Sequence, residues 1–355
     1  MIDQLAQTLA RLQLKHTKLL LAIFLVFTLA VLPGIVFLPS HVEPSLERVM
    51  PSFIEELRLV NHMRTQFGSD ITYVVLTANG PLYDVRDKAA LEYISVLEQA
   101  FQQRELVVGT QSIASIYGTQ EEYPTEVIAP DMISKGNDIT VIKVITDTGA
   151  DADAINELID GIETDIEQFS ALNPGFDIQI TGFNVIDKLT FNVIMSDFLV
   201  ITGVSMSLIA LILWLFFRTG KKVLLAMSVL FAAVIWTMGI VGYLGMTITV
   251  VSMVSIAMIM GLGIDFSVHM MHTYYEYREK HSPKKSVLLT QKELMRAVFG
   301  AAATTIAGFL ALLFGVLPAM QTLAIILAIG IFNTLFGAIG LMPLLLYTTD
   351  KVKEQ

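Results

Sequence analysis

Four long stretches of this sequence contain no Asp, Glu, Lys or Arg, and they constrain the fold more than any other feature. They cover residues 19–39, 198–217, 223–264 and 297–349. A helix needs about 20 apolar residues to cross a hydrocarbon core of roughly 30 Å. The first two stretches therefore fit one membrane span each, whereas each of the last two is long enough for two spans.

Turn-forming residues interrupt both of the longer stretches. Residues 243–247 read Tyr-Leu-Gly-Met-Thr and residues 315–319 read Gly-Val-Leu-Pro-Ala, and Gly and Pro favour turns. The sequence thus predicts a polytopic α-helical membrane protein with six transmembrane helices, one before a long polar insert and five after it (1+5). Only 16% of the residues are charged, against about 25% in soluble domains. This argues against an ordinary cytosolic enzyme, and we expect no enzymatic activity.

Lysine and arginine predict how the chain is oriented. With six spans, all the basic clusters outside the insert fall on one side, which the positive-inside rule assigns to the cytoplasm. We therefore expect a multi-pass protein of the inner or plasma membrane, with both termini cytoplasmic and the insert outside. The clusters are Arg11, Lys15 and Lys18; Arg218, Lys221 and Lys222; Arg278, Lys280, Lys284, Lys285, Lys292 and Arg296; and Lys351 and Lys353.

The spans divide the chain into four predicted regions. Residues 1–39 form a cytoplasmic N-terminus and transmembrane helix 1, and residues 40–192 form an extracytoplasmic domain. Residues 193–349 contain transmembrane helices 2–6, with a cytoplasmic loop at 273–296. Residues 350–355 are expected to be an ordinary cytoplasmic tail.

The formal net charge of -10 hides two regions of opposite sign. Residues 40–192 carry a net -16, and the remainder carries +6. The acidic outer domain could favour cationic or neutral molecules or could simply keep the domain soluble, and we favour the second interpretation. A net charge of -10 also disfavours binding to nucleic acid. The chain has no cysteine, and residues 40–192 contain no metal-ligand cluster, nucleophile elbow or phosphate-binding glycine loop. We expect no cofactor, no metal and no nucleic-acid partner.

The pattern of the insert predicts a mixed α/β fold. Residues 71–77 and 138–146 are rich in β-branched and aromatic residues, which favour strands, and 106–116 and 177–181 predict two shorter strands. Apolar residues recur at helical spacing in 85–101 and 152–172. The order β-α-β-β-α-β is that of the ferredoxin-like split βαβ sandwich, so an extracytoplasmic α+β ferredoxin-like domain is predicted.

One acidic residue, Asp265, lies well inside the predicted fourth span. A carboxylate there costs about 2.5–3.5 kcal/mol on insertion scales, and such groups normally mark an ion or proton path. Because burial disfavours the charged form, Asp265 is expected to load and release a proton near physiological pH. The alternative is a carboxylate that is held by hydrogen bonds and only fixes helix packing.

Several residues are candidate neighbours of Asp265. His269 lies four residues further on the same helix face; it could relay protons or lie at the cytoplasmic interface. Thr304 and Thr305 in the fifth span could reach the same depth or bond to their own backbone, and Asn333 is a polar residue of the sixth span. Small residues allow helices to approach closely, so Gly261 and Gly263 are expected to bring a neighbouring backbone near Asp265.

Two segments carry a resemblance to a known family. Residues 261–279 read GLGIDFSVHMMHTYYEYRE and residues 301–314 read AAATTIAGFLALLF. On these motifs and the 1+5 topology, nearly the whole chain resembles the resistance-nodulation-division (RND) superfamily, in particular its mycobacterial-membrane-protein-large-like and hydrophobe/amphiphile exporter branches. The resemblance implies a secondary transporter that exports hydrophobic, amphiphilic or lipid-like molecules in exchange for protons. By position it makes Asp265 the coupling carboxylate, with Thr304 and Thr305 near it.

The sequence departs from the family pattern in three ways. Phe266 follows Asp265 where many relatives have Tyr or a second Asp, and the predicted spans contain no buried lysine, so the coupling ion is left open between proton and sodium. Typical members have twelve helices in two similar halves, whereas this chain has one half. The resemblance therefore implies a homodimer, or pairing with a second half-transporter, with the two Asp265 side chains close to a two-fold axis.

Two other functions fit the same helix arrangement. Sterol-sensing proteins share it, which would make the chain a lipid sensor that transports nothing. Subunits of the protein-secretion motor are half-size relatives, which would make it an accessory of secretion. Asp265 favours proton use, and hence the transporter or the secretion accessory over the sensor. Membrane lipids and a hydrophobic or amphiphilic substrate are the expected small-molecule partners.

Overall fold

The structure is a computed structural model that describes residues 2–42, 51, 55, 58–59, 62, 70–79, 84–118, 131–147, 152–170 and 175–353. The described residues separate into two compact units. One contains the helices before residue 43 and after Val193, and the other contains a four-stranded sheet and its helices. Each unit is described separately below.

The chain begins with an amphipathic helix, α1 (Ile2–Lys15). Helix α2 (Thr17–Val31) follows after a break at His16, and a 3-10 segment, Leu32–Phe37, continues it. The inner face of α1 carries small and polar residues at helical spacing, namely Ala6, Ala10 and Gln13, which are buried.

The second unit is built on an antiparallel sheet. Its elements in chain order are β1 (Asp70–Ala78), α3 (Lys88–Gln102), β2 (Val107–Gln111), α4 (Ile113–Tyr117), β3 (Ile139–Thr146), α5 (Ala152–Ser170) and β4 (Phe176–Gly182). The strand order is β2-β3-β1-β4, and every neighbouring pair is antiparallel. β1 is central, because it pairs with β3 on one side and with β4 on the other.

Buried and more exposed residues alternate along the strands, so one face of the sheet forms the core of this unit. Alternate residues of β3 are buried, as expected for a sheet with one face covered by helices. The buried residues of α3 and α5 cover this face. Arg104, just after α3, donates two hydrogen bonds to Asp165 of α5. This ion pair raises the pKa of Arg104 and ties the two helices together.

The remaining helices form the rest of the first unit, with α6 shared between both units. They are α6 (Phe183–Phe217), α7 (Gly220–Tyr243), α8 (Val250–Arg278), α9 (Pro283–Leu310), α10 (Pro318–Phe336) and α11 (Met342–Lys353). A five-residue π-helical segment, Gly337–Leu341, joins α10 to α11. Helix α6 is continuous across the division between the units, which falls after Val193.

Six helical stretches within the described residues are long and apolar enough to cross a membrane. They are 17–37, 183–217, 220–243, 251–278, 283–314 and 318–350. One precedes the sheet in the chain and five follow its last strand. The protein is thus a polytopic helical membrane protein.

The six stretches differ in how much of each the chain itself covers. In the third, fourth and sixth, 56%, 56% and 67% of the apolar window is buried, whereas the first, second and fifth bury 11%, 6% and 11%. Helices α7, α8 and α10 therefore form the centre of the bundle. Because α2, α6 and α9 leave most of their apolar surface uncovered, lipid or another polypeptide must cover it.

Glycines allow the first and third spans to touch backbone to backbone. A Cβ added to Gly242 would lie 1.9 Å from the carbonyl oxygen of Gly34, and one added to Gly239 would lie 2.2 Å from that of Val31. Beside this contact, the Trp236 indole donates a hydrogen bond to the Thr28 hydroxyl at 2.8 Å. Small residues let membrane helices pack closely, and in this chain Gly34, Gly239 and Gly242 do so between the first and third spans.

We expect Gly242→Ala to destabilise the protein by about 1–3 kcal/mol, the usual cost of overpacking, because the nearest atom is backbone and cannot rotate away. The matched control is Gly203→Ala on α6, where an added Cβ meets nothing within 4 Å. Thermal unfolding in detergent measures both. Equal melting temperatures for the two variants would contradict this packing.

Candidate functional site

Helix α8, which carries Asp265, has one buried and one open face. Its start is fixed by a capping box in which the side chains of Thr249 and Ser252 each accept a hydrogen bond from the other residue's backbone N–H. On the buried face, Gly263 packs directly on Thr334 of α10, since a Cβ added there would lie 2.3 Å from the Thr334 methyl group. The opposite face carries Asp265.

Asp265 lies near the middle of α8 and is exposed on the surface of the single chain. Its neighbour Leu262 is 41% exposed, and an added Cβ at Gly261 would meet nothing within 4 Å. Within the described residues, no side chain donates a hydrogen bond to Asp265. The expectation that both glycines bring a neighbouring backbone close to Asp265 is therefore not met inside one chain. Gly263 contacts α10 on the opposite side of the helix, and Gly261 faces open space.

The candidate partners on other helices bond elsewhere in the single chain. The Thr304 hydroxyl donates to the carbonyl oxygens of Gly300 and Ala301, and the Thr305 hydroxyl donates to that of Ala301. Both threonines thus use the local backbone, as such side chains often do in helices. Asn333 is buried and donates to the Thr237 hydroxyl of α7 at 3.1 Å, so it fixes packing on the side of the bundle away from Asp265.

The open face of α8 continues towards its C-terminal end with further ionisable residues. His269, His272 and Glu276 are all exposed, and they follow Asp265 at steps of four, three and four residues. This spacing keeps them on one helix face. His269 is a candidate from the sequence, whereas His272 and Glu276 were not predicted. Their helical spacing from Asp265 is the signal that reveals them.

Helix α9 presents a second open face, made of small residues. An added Cβ at Gly300 or Gly308 would meet nothing within 4 Å. Exposed small side chains recur along this face at Ala297, Ala301, Thr304 and Ala307. Helices that expose such a stripe in a membrane can approach a partner helix closely.

A buried ionic cluster that was not predicted from the sequence lies at the C-terminal end of α8. Asp350 of α11, expected to belong to an ordinary tail, is only 5% exposed. Its carboxylate accepts hydrogen bonds from the Tyr274 hydroxyl and from the Arg278 guanidinium, each at 3.0 Å. Arg278 also donates to the carbonyl oxygen of His281 at 2.7 Å. The cluster joins the end of the helix that carries Asp265 to the last helix of the chain.

Two buried glutamines hold the π-helical segment. Gln13 of α1 donates to the carbonyl oxygens of Ile339 and Gly340, at 2.9 and 3.1 Å. Gln291 of α9 donates to Ile339 and to the Gln13 side chain, at 2.8 and 3.1 Å. A π-helical turn displaces backbone carbonyls from the regular ladder, and these amides satisfy them. The contact joins α1, α9 and the α10–α11 junction.

Metal binding has little support in this region. In the portion of the chain that the structure describes, no three His, Asp or Glu side chains lie close enough together to hold a metal ion. Asp265, His269 and His272 are all exposed on one helix. Neighbouring members of this set are three or four residues apart, which is about one helical turn.

Comparison with known proteins agrees with this architecture. The sequence profile of the MMPL family matches residues 47–353, which is most of the chain. The chain belongs to the MMPL family. A Methanocaldococcus jannaschii protein, MJ1562, whose name describes it only as a membrane protein, is 25% identical over 373 residues, covering 99% of this chain and 95% of that protein. The resemblance to RND-type proteins noted from residues 261–279 and 301–314 is therefore confirmed.

MMPL membership gives the open face of α8 a functional context. It supports an RND-like transporter of hydrophobic substrates rather than an enzyme, and the matched region includes the whole of α8 and α9. A membrane protein of the MMPL family contacts lipids and hydrophobic substrates. Asp265 is thus an ionisable residue midway along a central helix of such a transporter.

Proposed function

We propose that the protein is a proton-driven secondary transporter that exports hydrophobic, amphiphilic or lipid-like molecules, with Asp265 as the coupling carboxylate. One observation carries the proposal: Asp265 lies near the middle of α8, a central helix of the bundle, on a face that the single chain leaves open. Ionisable groups at such depth normally serve ion or proton movement. MMPL membership supports the transport of hydrophobic molecules.

We further propose that the chain crosses the plasma membrane six times in the 1+5 arrangement, with both termini in the cytoplasm. The distribution of lysine and arginine supports this orientation. The sheet unit then lies outside as a ferredoxin-like domain. Its strand order, β2-β3-β1-β4 with antiparallel neighbours, and its β-α-β-β-α-β sequence of main elements support that fold.

The working unit that we propose is a homodimer whose two copies meet through α8 and α9. A carboxylate left against hydrocarbon costs about 2.5–3.5 kcal/mol, and a second copy would cover it. The small residues of α9, including Gly300 and Gly308, permit close helix contact there. Parallel two-fold symmetry would replace the two similar halves that longer relatives carry in one chain.

Charge repulsion gives the proposed dimer a mechanism. Two Asp265 carboxylates close to the axis would repel each other while both are ionised, and a proton on either one would remove that repulsion. Loading a proton from outside and releasing it to the cytoplasm alternately weakens and strengthens the repulsion between the copies. The resulting change in packing between the two bundles would drive alternating access of the substrate.

The dimer has a direct test in the mass of the purified protein. Native mass spectrometry in a mild detergent is expected to find two copies as the main species. Because the chain has no cysteine, Gly261→Cys gives a single thiol, which we expect to form a disulfide between the copies. The matched control is Gly203→Cys on α6, also open, which is expected to cross-link far less. Stable monomers only, or equal cross-linking at both positions, would contradict the dimer.

Transport has its own test, in liposomes under an imposed pH gradient. A pH dye inside the vesicles measures proton movement, and a dansyl-labelled lipid serves as the amphiphilic probe whose movement is followed at the same time. The proposal expects probe movement that depends on the gradient. A lipid sensor would leave both signals flat, and a secretion accessory would let protons pass without moving the probe.

A further inference from the structure

We propose that His269, His272 and Glu276 extend the site at Asp265 into a proton path that runs along the open face of α8 to the cytoplasm. This inference rests on the proposed proton coupling at Asp265 and adds the route by which the proton leaves. The four residues are exposed on the single chain. Steps of four, three and four residues place them in one row.

The spacing along the helix suits stepwise transfer. At a rise of about 1.5 Å per residue, neighbouring residues of the row are separated by about 4.5–6 Å along the helix axis. This exceeds a direct hydrogen bond but is within reach through one water molecule. The row spans about 16 Å in total, which covers the distance from the middle of the helix to its last turn. Glu276 then ends the row, two residues before α8 ends at Arg278.

Each residue of the row gains one proton and gives one proton away. Protonated Asp265 gives its proton through water to one ring nitrogen of neutral His269, which becomes a cation. The cation releases the proton from its other ring nitrogen towards His272, which repeats the step and passes it to the Glu276 carboxylate. Glu276 releases it to water. Each imidazole ends neutral with its proton on the opposite nitrogen, and ring rotation or exchange with water restores the first tautomer.

Within the single chain, three other ionisable side chains at this end of α8 bond to residues of other helices and not to the row. On the same helix, Tyr274 and Arg278 bond to Asp350 of α11, and Tyr277 bonds to Glu293 of α9. These side chains are therefore engaged with other helices. Helix α10 has no ionisable side chain between Pro318 and Phe336.

The α6–α7 side contributes one aromatic contact and one cation. The rings of Phe216 and His272 lie 6.2 Å apart, so the end of α6 flanks the second histidine. The Lys222 ammonium of α7 lies 4.1 Å from the centre of the Tyr275 ring. Lys222 is therefore held over the ring of the residue that precedes Glu276 in the chain.

The test compares proton flux in liposomes loaded with a pH dye, under an imposed pH gradient. His269→Gln and His272→Gln are each expected to slow proton release by about 100-fold or more, the lower end of the effect of losing a general acid–base group, and the double variant is expected to slow it further. His16→Gln, an exposed histidine between α1 and α2, is the matched control and is expected to retain the wild-type rate. Free imidazole supplied on the cytoplasmic side should partly restore the rate of His272→Ala, which a purely structural role would not allow.

Other outcomes separate this inference from the proposed function. If Asp265→Asn stops proton flux while both histidine variants run at the wild-type rate with an unchanged pH profile, the path is wrong and the coupling site stands. If Asp265→Asn has no effect, the proposed function itself fails. Melting temperatures and elution volumes confirm folding, and if the double variant does not fold, the two single variants decide the result.

Discussion

Replacing Asp265 by Asn is expected to abolish proton-driven transport while leaving the protein folded and dimeric. The amide has nearly the same shape as the carboxylic acid but cannot release a proton, so the variant should resemble a permanently loaded state. In liposomes, movement of the dansyl-labelled lipid under a pH gradient should fall to the level of protein-free vesicles. This is the largest effect that we predict for any single substitution.

A second carboxylate provides the control for this substitution. Asp197 is exposed on α6, a helix that buries little of its apolar window, and has no proposed part in coupling. We expect Asp197→Asn to transport at close to the wild-type rate. If both variants lose transport equally, the loss reflects removal of acidic charge in general. If neither variant loses transport, Asp265 is not the coupling residue.

Arg278→Met is expected to be the most destabilising of the substitutions considered. It leaves the Asp350 carboxylate buried with the Tyr274 hydroxyl as its one side-chain hydrogen-bond donor among the described residues. Removing one partner of a buried ion pair typically costs about 3–5 kcal/mol, because the remaining charge is uncompensated. The Arg278 side chain is 23% exposed, so the lower end of that range, about 3 kcal/mol, is expected.

A double variant distinguishes the ion pair from simple loss of packing. Arg278→Met with Asp350→Leu removes both charges, and replacement of a buried pair by apolar residues is often neutral. We therefore expect the double variant to recover most of the stability, as measured by thermal unfolding in detergent. Lys285→Met, an exposed residue near the start of α9, is the matched control. A double variant as unstable as Arg278→Met alone would show that the charges do not govern stability here.

The charge-free stretches predicted the centres of the helices well, but their ends depended on contacts between distant residues. Helix α6 begins at Phe183, well before the apolar stretch at 198. Its polar first turns are held by the sheet unit: buried Asn184 donates to the Thr146 hydroxyl at 2.9 Å, and Lys188 pairs with Asp160 and Glu163. Nothing in the local pattern of 183–197 indicates these partners.

The position of Asp265 near the middle of a long apolar helix could be predicted from sequence, but the helix face that it occupies could not. Because α8 is apolar on nearly every side, its pattern does not show which side the other helices cover. The same limit applies to Thr304 and Thr305, whose hydroxyls bond to their own helix. It also applies to Gln13 and Gln291, which look like ordinary polar residues of two cytoplasmic segments until the π-helical segment places carbonyls beside them.

The most direct measurement of proton coupling through Asp265 runs the transporter in reverse. If protons and substrate share one cycle, a gradient of one must drive the other. Liposomes with equal pH on both sides and the dansyl-labelled lipid on one side should therefore develop a pH difference as the probe moves. We predict this pH change for the wild type and its absence for Asp265→Asn. Probe movement by the wild type without any pH change, or the same pH change in both proteins, would contradict the account.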